Sequence, residues 1–282
     1  MPIKFTILGC GSSLGIPRID GYFGSCDPKN KKNYRSRCSA LISSKNKNFL
    51  IDSSPDIKQQ LIKCKVKNID KIFYTHPHAD QTHGINELRV FYLKKKRKID
   101  VYADEVTKEY LLNTFSYCFK DSFDYPATLK MNSLKKSHKY FDNNQFINIE
   151  AVSVQHGMIK SLAYIINNKC AYASDVSKIF DKDLNKFKKL KYFIIDCLRY
   201  NPHPSHYCLE EVLNLVKFLK PKKTILTNLN NDIDYNKIKN SMELSTEWAK
   251  RSKDEFGNIR CIESSRKSYG KIRTERKTFS TR

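Results

Sequence analysis

Thr75-His76-Pro77-His78-Ala79-Asp80 follows the apolar run Ile72-Phe73-Tyr74 and precedes His83-Gly84. The apolar run reads as a short buried strand, and the segment from Gly84 to Lys94 reads as an amphipathic helix with Ile85, Leu88 and Tyr92 on one face. Two of the seven histidines stand two residues apart here, with a carboxylate two further on. In an extended loop alternate side chains point the same way, so His76, His78 and Asp80 converge on one small volume. Two imidazoles and a carboxylate together suit a divalent metal ion of the zinc, manganese or iron type.

Outward from this stretch the chain alternates strand and helix signals. Residues 2–8 read as a first strand and lead into Gly9-Cys10-Gly11-Ser12-Ser13-Leu14-Gly15, whose glycines permit close backbone approach. The stretch lacks the Lys-Ser/Thr ending of a phosphate-binding P-loop. Residues 18–37 form a polar loop in which Arg18, Arg35 and Arg37 read as solvated surface. Residues 39–42 and 48–52 form a hairpin ending at Asp52, a helix cap or an orienter of a metal ligand. Residues 57–66 and 105–119 read as helices, and 120–140 as an irregular Lys-rich rim with His138 on the surface. A strand over 148–154 runs into His156-Gly157, another over 170–173 into Ser174-Asp175, and a third over 192–196 ends in Asp196. Ser205 reads as the N-cap of a helix whose apolar face carries Leu209, Val212, Leu213, Val216 and Leu219. A last strand over 224–227 enters Asn228. His76, His78, Asp80, His156, Asp175 and His206 thus all fall at or just past the C-terminal end of a strand. His76 and His78 read as metal ligands, joined by His156 and Asp175. His206 reads as a substrate-facing acid/base or phosphate contact, while His83 and His203 stay open.

Composition narrows the classes. With 282 residues and 40% hydrophobic content the chain can bury a sizeable core. No apolar run approaches the roughly 18–20 residues of a membrane span, and no signal-peptide pattern opens the sequence, so a cytoplasmic location is expected. The nine cysteines are widely spaced with no Cys-x-x-Cys pair, which argues against a disulfide framework; a zinc site on Cys26 and Cys38 lacks the usual paired spacing. The formal charge of +23 comes from Lys spread along the whole chain, which favours an anionic substrate without demanding nucleic acid.

The ordered set Thr75-His76-x-His78-x-Asp80, Val154-x-His156-Gly157, Ser174-Asp175 and Thr227-Asn228 resembles the metallo-β-lactamase-fold hydrolases. Within them it is most similar to the branch containing phosphoribosyl cyclic phosphate phosphodiesterase. Leu8-Gly9-Cys10-Gly11-Ser12-Ser13, Cys26-Asp27-Pro28, Arg35-x-Arg37-Cys38-Ser39, Asp52, His83-Gly84-Ile85-Asn86-Glu87-Leu88-Arg89 and Pro204-Ser205-His206 extend the likeness over residues 1–240. The resemblance implies an α/β four-layer αββα sandwich with the site between the upper edges of two sheets. It implies that His76, His78 and His156 hold one metal, that Asp175 bridges to a second, that Asp80 belongs to the second metal and touches the attacking water, and that His206 contacts the scissile phosphate. One or two divalent ions, Zn or Mn, would be the cofactor of a phosphodiesterase acting by metal-activated water.

Two positions depart from the family pattern. Gln81 and Asn228 stand where imidazoles of the second metal are usual. They leave a set of carboxylate and amide oxygens better suited to Mn²⁺ or Mg²⁺ than to Zn²⁺, and a second site that is weak or unfilled. Residues 245–282 carry the single Trp and 11 Lys/Arg against 5 Asp/Glu, and read as a basic, poorly ordered tail after the 1–240 domain. The partner expected is a small anionic phosphate ester. A homodimer is compatible with this reading, nucleic acid is not favoured and no membrane is expected. The alternatives are an RNA-processing nuclease of the same fold and a non-catalytic metal-binding homologue.

Overall fold

The computed structural model describes residues 2–239 and 260–261. Six strands of a first sheet come from the N-terminal half: β1 (Lys4–Gly9), β2 (Ser39–Ser43), β3 (Asn48–Ile51), β4 (Lys71–Phe73), β5 (Ile99–Ala103) and β6 (Leu129–Ser133). They lie side by side in sequence order. The first three are antiparallel neighbours, and β3 through β6 run parallel. The second sheet holds β7 (Ser137–Asp142), β8 (Gln145–His156), β9 (Ile159–Ile166), β10 (Cys170–Ala173), β11 (Tyr192–Asp196) and β12 (Lys223–Thr227), also in sequence order. Here β7 to β10 form an antiparallel meander and β10 to β12 are parallel. A two-residue strand, β13 (Arg260–Cys261), pairs parallel to Thr6–Ile7 on the free side of β1. The rest of the basic stretch 245–282 lies outside the described residues.

The strands read as near-continuous apolar runs because both faces of both sheets are covered. In β3, Phe49 and Ile51 face the layer between the sheets while Leu50 faces the other way. The same alternation places Ile147, Tyr164, Tyr172 and Ile194 of the second sheet in that central layer, with Ala163, Ala171 and Phe193 on its outer face. Side chains from α1 (Ile57–Lys63), α2 (Ala79–Thr82), α3 (Arg89–Lys95), α4 (Glu105–Thr114) and α5 (Ser116–Phe119) belong to the first half, and Ile57, Leu61, Phe91 and Leu111 cover the outer face of the first sheet. Phe187 of α6 (Leu184–Phe187) with Val212 and Leu219 of α7 (Leu209–Leu219) covers the second. Helix, sheet, sheet, helix is the four-layer αββα sandwich. Truncating a central aromatic such as Phe73, fully buried, would cost about 3–5 kcal/mol.

Several local readings change. The segment 120–140 is not an irregular rim: β6 and β7 occupy much of it, and the exposed Lys130 and Lys139 point outward on strands. His138 is accordingly buried on the inward side of β7, against Tyr102 and Phe73. Helix 105–119 breaks at Phe115 into α4 and α5. The helix after the Pro-His loop starts later than Ser205. Its N-cap is Cys208, whose backbone N–H donates to Glu211 at 2.8 Å, a capping box.

Candidate metal centre

The C-terminal ends of β4, β8, β10, β11 and β12 carry His76, His156, Asp175, Asp196 and Asn228, at the strand ends or within three residues beyond them. Parallel strands β10, β11 and β12 pair in register, so Asp175, Asp196 and Asn228 emerge at one edge of the second sheet. β4 delivers the motif loop at the edge of the first. Among the described residues two groups of His and acidic side chains have potential ligand atoms within 4.8 Å of one another: His76, His78 and His156, and His156, Asp175 and His206. They share His156 and form one continuous site.

Two of the three imidazoles are held by neighbours. Asp52 accepts from the Thr75 backbone N–H at 2.8 Å and from the Thr75 hydroxyl at 2.9 Å. Having given its hydrogen to Asp52, the Thr75 oxygen accepts from His76 Nδ1 at 3.0 Å, leaving Nε2 with a bare lone pair. That Nε2 is buried and has no hydrogen-bond partner. His156 Nδ1 donates to the Ser205 carbonyl at 2.7 Å, so its Nε2 is likewise a lone pair. It stands 3.4 Å from His78 Nδ1. Two nitrogens each about 2.0–2.1 Å from a tetrahedral ion lie about 3.4 Å apart, so the imidazoles fit a shared divalent cation. Burial drives His76 down to about 3, which keeps its ring neutral and its lone pair available. Burial also lowers His156, although the Asp175 charge opposes it. Gly157 makes the turn after His156 at φ +57; a Cβ there would lie 2.7 Å from Ser205 Cβ and disturb the carbonyl that orients His156.

Beside the imidazoles the polar groups are paired with one another. Gln81 Nε2 donates to Asp80 Oδ2 at 3.0 Å and to Asp175 Oδ2 at 3.1 Å. Asn228 Nδ2 donates to Asp175 Oδ1 at 3.1 Å and lies 3.2 Å from His206 Nδ1. Sequence reasoning counted these amides as oxygen donors; the carboxylates accept only, so the amide nitrogens face them instead. Burial, reinforced by the Asp175 charge, raises Asp80 to about 7. Burial works against ionisation of Asp175 as well, but the imidazoles of His76, His156 and His206 outweigh it and hold that carboxyl below its ordinary value.

His206 packs against His156, ring centroids 4.7 Å apart, and its Nδ1 is 2.6 Å from Asp196 Oδ2. Burial would lower the His206 pKa, but the hydrogen bond and charge of Asp196 raise it. Burial raises Asp196 in turn to about 7, opposed by the His206 bond. Sequence reasoning saw Asp196 only as a strand end. An apolar run closing on a buried carboxylate was the signal for its role. His203 lines the cavity 5.1 Å from the His206 ring, whereas His83 bonds Tyr110 and packs edge-to-face with Phe115 away from the site.

The site opens into a cavity of about 610 Å³ whose walls include Ser12, Arg18, Met158, Arg199, His203 and His206. Arg18 is ion-paired with Asp20, and Arg199 is braced on the carbonyls of Asn201 and Pro202. Arg35 is buried rather than solvated: it bonds Asn33 and the Asn230 carbonyl, tying the 18–37 loop to the last site loop. The close approach that the 9–15 glycines permit is to this same loop, since a Cβ on Gly9 would fall 2.0 Å from the Arg37 carbonyl. Cys26 points at the carbonyls of Asn231 and Ile233, and Cys38 at Gly11 and Thr227, so they share no site. No disulfide forms among the described cysteines. No helix among the described residues is long and apolar enough to cross a membrane.

Comparison with known proteins agrees with this geometry. Residues 47–227 match the model of the beta-lactamase superfamily domain. An octanoyltransferase of Porphyromonas gingivalis is 27% identical over 231 residues, 80% of this chain and 46% of that protein. A ribonuclease Z of Clostridium kluyveri is 26% identical over 196 residues, 66% of this chain and 58% of that protein. The chain therefore spans about half the length of the curated relatives it matches. Among solved structures, a diphosphatase from the PhnP family superposes with a TM-score of 0.75 at 28% identity, covering 84% of this chain and 90% of that one. Zn²⁺-bound PqqB from Methylobacterium extorquens superposes at 0.67 with 14% identity, over 87% and 96% of the two chains, a likeness of fold alone. With a superfamily model matching well over half of its length and its site at the shared edge of two sheets, the chain belongs to the beta-lactamase superfamily, in the metallo-β-lactamase fold, and resembles its PhnP branch.

Proposed function

We propose that the protein is a metal-dependent hydrolase that cleaves a small phosphate ester, a cyclic or nucleotide-like phosphodiester or diphosphate. The observation that carries this reading is the bare, buried Nε2 of His76 beside the facing nitrogens of His78 and His156, at the floor of a cavity with arginines in its wall. His76, His78 and His156, with Asp175 next to them, would hold a divalent ion, which would supply Lewis acidity toward water and phosphoryl oxygens. Thr75 and Asp52 fix the His76 ring, and Ser205 fixes His156, so the donors are aimed before the ion arrives. Asp80, in the cavity wall, orients the attacking water and accepts its proton. His206, anchored through Nδ1 on Asp196, offers Nε2 to the phosphoryl group and to the leaving oxygen. Arg18 and Arg199 favour an anionic ligand in a chain of formal charge +23. The likeness to a PhnP-family diphosphatase supports phosphorus chemistry over the other reactions of the fold.

The test is turnover of bis(p-nitrophenyl) phosphate and of a cyclic phosphodiester, with and without added Mn²⁺ or Zn²⁺. Metal-dependent hydrolysis of either is expected; bound metal with no turnover under any cation would favour a non-catalytic homologue. RNA processing is the second reading, supported by the clostridial ribonuclease Z relatives. It predicts RNA binding that weakens steeply with salt and cleavage of RNA in preference to the small esters.

A further inference from the structure

Asp80 and Asp175 lie close enough to share one amide nitrogen. A primary amide has two N–H hydrogens, and Gln81 spends one on each carboxylate. Asn228 gives a hydrogen to the second oxygen of Asp175, so both oxygens of that carboxylate accept from amides. Gln81 is fully buried, and its own Oε1 has no hydrogen-bond partner. The side chain thus turns its nitrogen to the carboxylates and leaves its oxygen bare. Reversed, the amide would set its oxygen against two carboxylate oxygens, an arrangement that needs a cation between them.

We propose that Gln81 and Asn228 occupy the position at which a second cation would bridge Asp80 and Asp175, so that the protein works with a single metal ion. This rests on the three-histidine site being the metal centre. With its NH₂ turned to both carboxylates, Gln81 offsets the repulsion between their facing oxygens, the part a cation would otherwise play. The imidazoles beside Asp175 are already engaged, His76 and His156 in the three-histidine site and His206 on Asp196, so a cation entering here would draw mainly on oxygen donors, a poor set for a first-row transition metal. It would also strip three hydrogen bonds and leave two buried NH₂ groups unpaired. The main chain that carries each amide is anchored as well. The Gln81 carbonyl accepts from Ser53 N–H at 2.8 Å and its N–H donates to His78 at 3.1 Å. Asn228 sits at φ +59, a left-handed conformation that Asn and His tolerate better than most residues. The groups left to face the outer oxygens of a phosphate ester are then those of the cavity wall, His206, Arg199 and the Asp20-paired Arg18.

Metal stoichiometry tests this. Apo-protein is titrated with Zn²⁺ and with Mn²⁺, and the protein recovered by gel filtration is assayed by elemental mass spectrometry. Wild type is expected to retain one equivalent, and Gln81→His/Asn228→His two. Gln81→Glu is the isosteric control should the double variant fold poorly: it replaces the bridging NH₂ by an oxygen, and is expected to add a second, Mn²⁺-dependent rise in melting temperature that wild type lacks. Two equivalents on wild type, including a second ion on His156, Asp175 and His206, would overturn the proposal. So would a single equivalent on every folded variant, because the amides would then not be what excludes the second ion. No metal on wild type would instead defeat the reading of the three-histidine site, and this inference with it.

Discussion

His76 and Gln81 are both fully buried, sit five residues apart, and each carries a polar atom without a partner. In His76 that atom is on the front: Nε2 stands with two other imidazoles, and the back of the ring is held by Thr75. In Gln81 it is on the back: the front nitrogen is fully used on Asp80 and Asp175. The same formal defect has opposite meanings. A bare donor atom aimed at other donors marks a ligand position. A bare atom behind a satisfied group marks what it costs to fill a position with protein. The site is therefore asymmetric, with three imidazoles poised for an ion on one side and a closed network of carboxylates and amides on the other.

The sharpest way to break the comparison is on the histidine side. His76→Ala should release the metal and lower kcat/KM by about 10³-fold, the scale of losing a preorganised electrostatic partner. Retained metal and activity would mean that the ion sits elsewhere. His206→Ala should keep the metal and lower kcat by about 10²-fold, the lower end for loss of a general acid. A change confined to KM would restrict His206 to substrate binding. Thr75→Val keeps all three imidazoles but removes the hydroxyl that orients His76. It should weaken metal binding by about 10–100-fold, read by competition with a chelating dye. Unchanged affinity would show that the Asp52–Thr75–His76 chain is dispensable.

The smallest effect is expected far from both halves. His138 Nε2 accepts from the Lys135 backbone N–H at 3.0 Å, a bond that a protonated ring cannot make. Burial lowers its pKa, with the Lys135 and Lys71 charges adding to the effect. A lowered folded-state pKa gives stability that is complete above the unfolded value, about 6.5, and lost as pH falls below it. The urea midpoint of wild type should therefore drop between pH 7.5 and 5.5 more than that of His138→Phe, with metal content unchanged. Equal drops would remove His138 from the account.

These contrasts also mark what the sequence could convey. His76, His78 and Asp80 are legible because their spacing is local, and His156 and Asp175 because apolar strands run straight into them. Parallel pairing carries Asp175, Asp196 and Asn228 to one edge of the second sheet, and packing of the two sheets sets the β4 loop beside them. The strand-end pattern therefore holds for these residues, whereas His206 lies ten residues past the end of β11. The direction of the Gln81 and Asn228 amides was not legible. It is set by Asp175, 94 and 53 residues away, and only the assembled site shows which end of each amide the carboxylates demand. Asp196 was seen without a role for the same reason, since its partner His206 arrives from the next connection. His138 was misread because Lys130, Lys135, Lys136 and Lys139 make β6 and β7 look solvated, although a strand exposing Lys139 must turn His138 inward.

One histidine-held ion beside a carboxylate pair already bridged by amides is an arrangement that diffraction can read. Anomalous diffraction from crystals grown with excess Zn²⁺ or Mn²⁺, recorded at the metal edge, tests it most directly. A single peak bonded to His76, His78 and His156 is expected, with Gln81 still spanning Asp80 and Asp175. A second peak of comparable height between those two carboxylates, with the Gln81 amide displaced or reversed, would contradict it.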